Sequence, residues 1–254
     1  MVFLLDKLMY MNRIFQLAFT TLIFSACTNS GAHIESTPQA KFNEITITSA
    51  MRNVMWKGEL AEKIHLDTIS NKEGLMGIGP MAYLKGEITI CDGEAYISRV
   101  LSDSTMLVEK TYDVGAPFFV HYNVKEWEAQ SLPDSIRNIS QLQAFIVEIS
   151  RGKPAPFAFK LEGEIASGII HIQNLADGSV VTSPQEAHAG QTNYKLGHEA
   201  AKVVGFYSQE HKAVFTHHDT FLHLHLITSD EKKMGHLDEV EFEAMTLYLP
   251  KFES

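Results

Sequence analysis

Cysteine is nearly missing from this chain: Cys27 and Cys91 are its only two. Cys27 closes an N-terminal apolar segment that reads as a removable leader, so the mature chain keeps Cys91 alone and has no intrachain disulfide. The fold must then rest on buried apolar area. Positive charge is also scarce: Lys and Arg total 21 against 31 Asp and Glu, a formal net charge of −10. That balance argues against a nucleic-acid surface and disfavours binding to an anionic membrane face. No arginine follows Arg151, so the C-terminal part has no guanidinium. The N-terminal apolar run, Ile14 to Phe24, is shorter than the ~20 residues a membrane-spanning helix needs.

Lys7 and Arg13 precede that run, which ends in Ser25-Ala26-Cys27. A charged region, a short apolar core and small residues before a cysteine make residues 1–27 a signal peptide of bacterial lipoprotein type, with Cys27 lipidated. Met11 is an alternative start. Residues 28–42 are polar and read as a tether. The expected location is the bacterial cell envelope, with membrane contact only through the lipid. A general secretory signal and a soluble exported protein are the alternative.

Beyond the tether, the pattern alternates between short strands and turns. Residues 43–48 read as a strand, and 49–56 as a short helix capped by Ser49. Gly74, Gly77 and Gly79 suggest tight turns and close backbone approach. No Lys-Ser/Thr follows them, so a phosphate loop is rejected. Residues 84–98 form a hairpin about Asp92-Gly93, with Glu87 on its first strand. Apolar residues at Ile136, Ile139, Leu142, Phe145, Ile146 and Ile149 have helical spacing. Arg151 to Pro156 breaks the pattern. Strands follow at 157–164, 168–173, 202–207, 220–228 and 239–249. The fold class is α+β with two strand-rich lobes. These are a mixed-sheet N-terminal lobe (43–153) and a β-sheet or barrel-like C-terminal lobe (154–254) that carries a three-His site.

Histidine is the abundant type, 12 in all, so some must be ordinary surface or core residues. His223, His225 and His236 stand apart. An H-x-H pair on a strand puts both rings on one face. A hairpin connection over 229–235 then returns His236 beside them. Three neutral imidazoles with an open fourth position suit a catalytic zinc ion. His217, His218 and Asp219 read as a solvated turn, with the pocket rim as their alternative. Asp238 reads as a surface charge or as a partner to a ligand imidazole.

Several strings, in order, resemble the α-acetolactate decarboxylases, bacterial zinc-dependent enzymes that convert 2-acetolactate to acetoin. They are Gly77-Ile-Gly79, Leu84-Lys-Gly-Glu-Ile88, Asp92-Gly-Glu-Ala-Tyr96, Pro117-Phe118, Lys160-Leu-Glu-Gly-Glu164, Val204-Gly-Phe206, His223-Leu-His225 and Gly235-His-Leu-Asp238. The resemblance implies His223, His225 and His236 as metal ligands, Glu87 as the active-site carboxylate, and a homodimer. It matches Glu253 to a C-terminal Glu that approaches the family's site. Where the family has an Arg facing the substrate, this chain has His171. A neutral imidazole cannot copy a bidentate guanidinium, and a protonated one supplies charge only at lower pH. Glu87, His171 and Glu253 are therefore the candidate catalytic residues, acting on a small-molecule substrate. The alternative is a zinc-binding relative that does not decarboxylate and takes another small hydroxy or keto acid. A cupin-like site ranks last, because Glu231 and His236 fall at the wrong distances from His225.

Overall fold

Short alternating runs separated by turn residues build two six-stranded sheets. The computed structural model describes residues 42–217 and 219–252. The signal segment with Cys27, the tether up to residue 41, His218 and Glu253 lie outside the described residues. In chain order the elements are β1 (Ile45–Thr48), α1 (Met51–Lys57), β2 (Ile64–His65), β3 (Leu75–Pro80), β4 (Glu87–Cys91), β5 (Glu94–Ser102), β6 (Thr105–Lys110), β7 (Gly115–Ala116), β8 (Phe119–Asn123), β9 (Trp127–Ser131), α2 (Ile139–Ile149), β10 (Phe157–Ile172), α3 (Pro184–Ala187), β11 (Thr192–Leu196), β12 (Glu199–Tyr207), β13 (Leu222–Thr228) and β14 (Met234–Pro250).

The first sheet runs β1-β8-β3-β4-β5-β6. Every pairing in it is antiparallel, which corrects the expected mixed sheet. Parallel neighbours need a crossover of a dozen or more residues, whereas β3 to β6 follow one another through short connections. The second sheet runs β11-β10-β12-β13-β14-β9, and β10 also pairs with β14. The strands β10, β12, β13 and β14 thus close into a ring, the barrel-like part of the fold. β9 joins the outer end of β14, Thr246 opposite Ser131, so a segment that precedes the Arg151–Pro156 break belongs to the second sheet. The described residues form one compact unit.

Burial holds the two sheets together. One apolar cluster contains Phe157, Phe159, Phe206 and Phe242 from the second sheet and Met76, Ile78 and Val120 from the first. Each such side chain contributes about 1.5–3 kcal/mol when fully buried. Lys160 adds a polar tie. Its ammonium lies 2.6 Å from Asp92 at the β4–β5 turn and 3.0 Å from Glu162 on its own strand. Cys91 is buried and free.

Three local expectations change. Ser49 does not cap α1: it has φ 59, and the N-cap is Ala50, without a side-chain bond. The carbonyls of Val214 and Ala213 accept the N–H groups of Met51 and Arg52 instead. The glycines at 77 and 79 lie inside β3 rather than in turns. A Cβ at Gly77 would sit 2.7 Å from the Phe119 ring, so these glycines admit an aromatic side chain to the sheet face. The strands expected at 157–164 and 168–173 are one strand, β10. Register shifts near Glu164, Ser167 and Ile169 absorb the small residues that read as a break.

A pH dependence of stability follows from His121 on β8. Burial lowers its pKa to about 4, and its Nδ1 has no partner. The unfolded chain would take up a proton near pH 6.5. The folded state is therefore disfavoured as pH falls from 6.5 toward 4, by on the order of 2–3 kcal/mol at the acid end. Urea midpoints measured between pH 7 and 4 should show this loss, and His121→Phe should flatten the part of the slope that His121 carries. An unchanged slope in the variant would remove His121 as its source.

Candidate metal centre

The strand register assembles the site. On one edge of β14, His236 is opposite His225 of β13; on its other edge it is opposite His171 of β10. Side chains directly opposite across a ladder share a face, so three imidazoles form a row over three strands. His223, two residues before His225, joins the same face. The rings of His223, His225 and His236 lie with centroids 5.1, 5.2 and 5.6 Å apart. His171 stacks on His236 at 4.5 Å. Gly235 allows this approach, because a Cβ there would collide with the His171 carbonyl oxygen.

Hydrogen bonds fix which ring nitrogens are free. His225 Nδ1 lies 2.9 Å from Thr89 Oγ1, whose hydroxyl donates to Met234 Sδ. The imidazole must then be the donor to Thr89, which leaves its Nε2 as a lone pair. His236 Nδ1 lies 3.2 Å from Asp238, which assigns its Nε2 in the same way. The Asp238 carboxylate also accepts from His171 Nδ1, with both oxygens at 2.8 Å. The register between β10 and β14 skips Asp238: Glu239 pairs with Ile169, and Leu237 with Ile170. Burial would raise the Asp238 pKa, but the hydrogen bonds from His171 and His236 outweigh it and hold the carboxyl well below its usual range.

Burial makes the imidazoles neutral. It pushes His223 and His225 well below the ordinary histidine range, His236 to about 4 and His217 to about 3. Neutral imidazoles with their outer nitrogens tied to a hydroxyl and a carboxylate are prepared metal donors. Two buried atoms here find no hydrogen bond of good geometry, His223 Nδ1 and Gln173 Oε1. The Phe215 carbonyl is nevertheless near enough to His223 to act on its basicity. Close groups of potential donor atoms are His217 with His223 and His236, and His171 with His236 and Asp238. The residues fit a transition metal such as zinc.

Glu87 reaches this cluster from β4 of the other sheet. It is 3 % exposed. Its Oε1 accepts the Gln173 N–H at 3.1 Å, and its Oε2 is 3.9 Å from His225 Nε2. Burial raises its pKa well above the usual value, and the Gln173 N–H opposes this only in part. Gln173 Nε2 also lies 3.3 Å from His171 Nε2. Two cavities meet the cluster. A narrow one of about 40 Å³ touches Glu87, His171, Gln173, His217, His223 and His236. A wider one of about 320 Å³ opens between α2 and the strands, lined by Gln143, His217, Thr220, His236 and Asp238 among others.

The structure thus brings His223, His225, His236, Glu87 and His171 together. Asp238, read from sequence as an ordinary surface charge or a ligand's partner, anchors two rings. His217, read as part of a solvated turn, faces inward. Thr89 and Gln173 were not anticipated, although each lies two residues from a recognised site residue, Glu87 and His171 respectively, a spacing that shares a strand face.

A buried carboxyl beside a three-imidazole candidate metal site, inside a two-sheet α+β fold, defines the class of protein. The chain belongs to the alpha-acetolactate decarboxylase family, whose model matches residues 45–254. No curated protein matches it significantly. Among solved structures it resembles the alpha-acetolactate decarboxylase of Bacillus subtilis strain 168, with a TM-score of 0.66 and 21% identity over 82% of this chain and 85% of that one. The acetolactate decarboxylase of Bacillus subtilis subspecies spizizenii gives 0.68 and 21%, over 83% and 86%. A Staphylococcus aureus protein described as similar to alpha-acetolactate decarboxylase gives 0.64 and 15%, over 80% and 84%. At these identities the likeness speaks for the fold.

Proposed function

We propose that this protein decarboxylates 2-acetolactate to acetoin and CO₂, using a transition metal, zinc by preference, held by His223, His225 and His236. The observation that carries the reading is Glu87, a buried carboxyl 3.9 Å from His225 Nε2 in a family member. Loss of CO₂ from a β-keto acid leaves an enediolate, whose charge a bound Lewis acid stabilises. The chain must then deliver a proton to carbon. Glu87 suits that task, because burial favours the protonated form of its carboxyl and the Gln173 N–H fixes its Oε1. His171 stands where the family's arginine would. Asp238 holds its Nδ1 and turns its Nε2 toward Gln173 and the narrow cavity.

The missing guanidinium removes a charged contact worth roughly 1.5–3 kcal/mol, which costs on the order of ten- to a hundred-fold in rate. Purified protein should release acetoin from racemic 2-acetolactate, more slowly by that factor than relatives that keep the arginine. Acetoin formation equal to a metal-free control would overturn the reading. It would favour the second one, which the absent arginine supports: the same fold and metal applied to another small hydroxy or keto acid.

We also propose that Cys27 carries a lipid that anchors the exported protein to the cell envelope. The motive is the apolar run that ends in Ser25-Ala26-Cys27. Cys27→Ser should move the protein from the detergent phase to the aqueous phase in a phase-partition assay. Unchanged partitioning would leave an ordinary secretory signal.

A further inference from the structure

We propose that His217 is a fourth metal ligand, supplied by the loop between β12 and β13 to the site of His223, His225 and His236. The inference rests on the metal reading above and extends it to a residue outside the paired strands. His217 Nε2 is 2.9 Å from His236 Nε2. Donor atoms of His217, His223 and His236 all lie within 4.8 Å of one another. The His217 ring centroid is 4.8 Å from that of His236 and 5.9 Å from that of His223. His223 and His236 thus share a close group of donor atoms with His217, whereas His225 adjoins them by its ring, with centroids 5.1 and 5.6 Å away.

The loop is built to deliver this ring. Ahead of it, the carbonyls of Ala213 and Val214 receive the first N–H groups of α1, and Phe215 is fully buried. Beyond it, Thr220 Oγ1 and the Phe221 N–H both donate to Gln143 Oε1 of α2, at 2.6 and 2.7 Å. The chain is tied to a helix on either side of His217.

The facing nitrogens carry the argument. Asp238 takes the Nδ1 proton of His236, so His236 Nε2 presents a lone pair. His217 Nε2 faces that lone pair at 2.9 Å, so either its own proton, in an ordinary N–H···N hydrogen bond, or a cation lies between the two nitrogens. A shared proton would occupy the very atom that His236 offers to the metal, and His217 would then compete with metal binding. A shared metal makes the two residues partners. The alternatives predict opposite signs: removing a competitor tightens metal binding, and removing a ligand weakens it. His217 also lines both cavities, as His236 does. Of the four rings it alone stands on a loop rather than on a paired strand.

The test compares zinc affinity, by competition with a chromogenic chelator, in the wild type, His217→Ala and His217→Gln. X-ray absorption of the zinc-loaded proteins counts the imidazoles. Gln, close to His in length and polarity, keeps the test valid if Ala disturbs the loop. The expected result is four imidazoles in the wild type, three in each variant, and an affinity at least ten-fold weaker, the lower bound for losing even a group that only supports a ligand. His188→Ala serves as control, because it lines the narrow cavity with its Nδ1 at the Pro184 carbonyl; it should change neither readout. Unchanged or tighter binding in the His217 variants, with three imidazoles in the wild type, overturns the proposal and leaves the three-His site standing. A wild type that binds no zinc overturns both.

Discussion

Glu87→Gln should cut acetoin formation by a hundred-fold or more and leave metal content as in the parent. The size follows from the role: a positioned proton donor contributes typically 10²–10⁴-fold. The two side chains are nearly identical in shape, so the buried pocket on β4 stays filled and Oε1 still accepts the Gln173 N–H. What disappears is the transferable proton. In the parent, burial raises the Glu87 pKa well above its ordinary value, which favours the form that carries the proton. The assay is kcat for acetoin with metal measured on the same samples by mass spectrometry. A variant with parental kcat would remove Glu87 from the chemistry, and a variant that lost its metal would make Glu87 a ligand instead.

Single alanine substitutions of His223, His225 and His236 should each take the chain from about one metal ion to nearly none. His225 is the most exacting of the three. It is 1 % exposed, and removing its ring also strands the Thr89 hydroxyl between Met234 and an empty volume. A ligand that binds only the folded state stabilises it by ≈ 4.1 kcal/mol at a thousand-fold excess over Kd. Parent protein treated with chelator should therefore melt lower, while the alanine variants should no longer respond to chelator. Asp238→Asn should fall between these limits, with affinity down by roughly 10–100-fold, since it loosens His236 without removing it. Full occupancy surviving all three alanine changes would eliminate the site.

What could be read from the sequence was local. The H-x-H spacing gave His223 and His225 a common face, and the polar segment after Thr228 placed a turn before β14. Asp92-Gly93 marked the β4–β5 hairpin because that dipeptide tolerates the backbone such a turn needs: Asp92 has φ 49 and Gly93 φ 88. The proximity of His171 to His236 could not be read that way. It depends on a ladder between residues far apart in sequence and on the register shifts that precede it. His217 was misjudged for a related reason. Thr216-His-His-Asp-Thr has the composition of an exposed turn, and only the fastening of that loop to α1 and α2 turns the ring inward. Ser49 failed as a cap because a distant loop supplied the acceptors first.

The row of imidazoles across β10, β14 and β13 limits how this protein can change length. Side chains alternate along a strand, so a one-residue insertion or deletion inside any of the three sends its histidine to the opposite face. The connection from Ser229 to Lys233 can lengthen without touching the row, because His225 and His236 are set by pairing and not by the turn. Homologous chains that keep the site should therefore differ freely in that connection and hold constant the count of residues from His236 to the Asp238 irregularity. A relative with a residue gained or lost in that short interval should have lost either the His171–Asp238 bond or the stacking of His171 on His236.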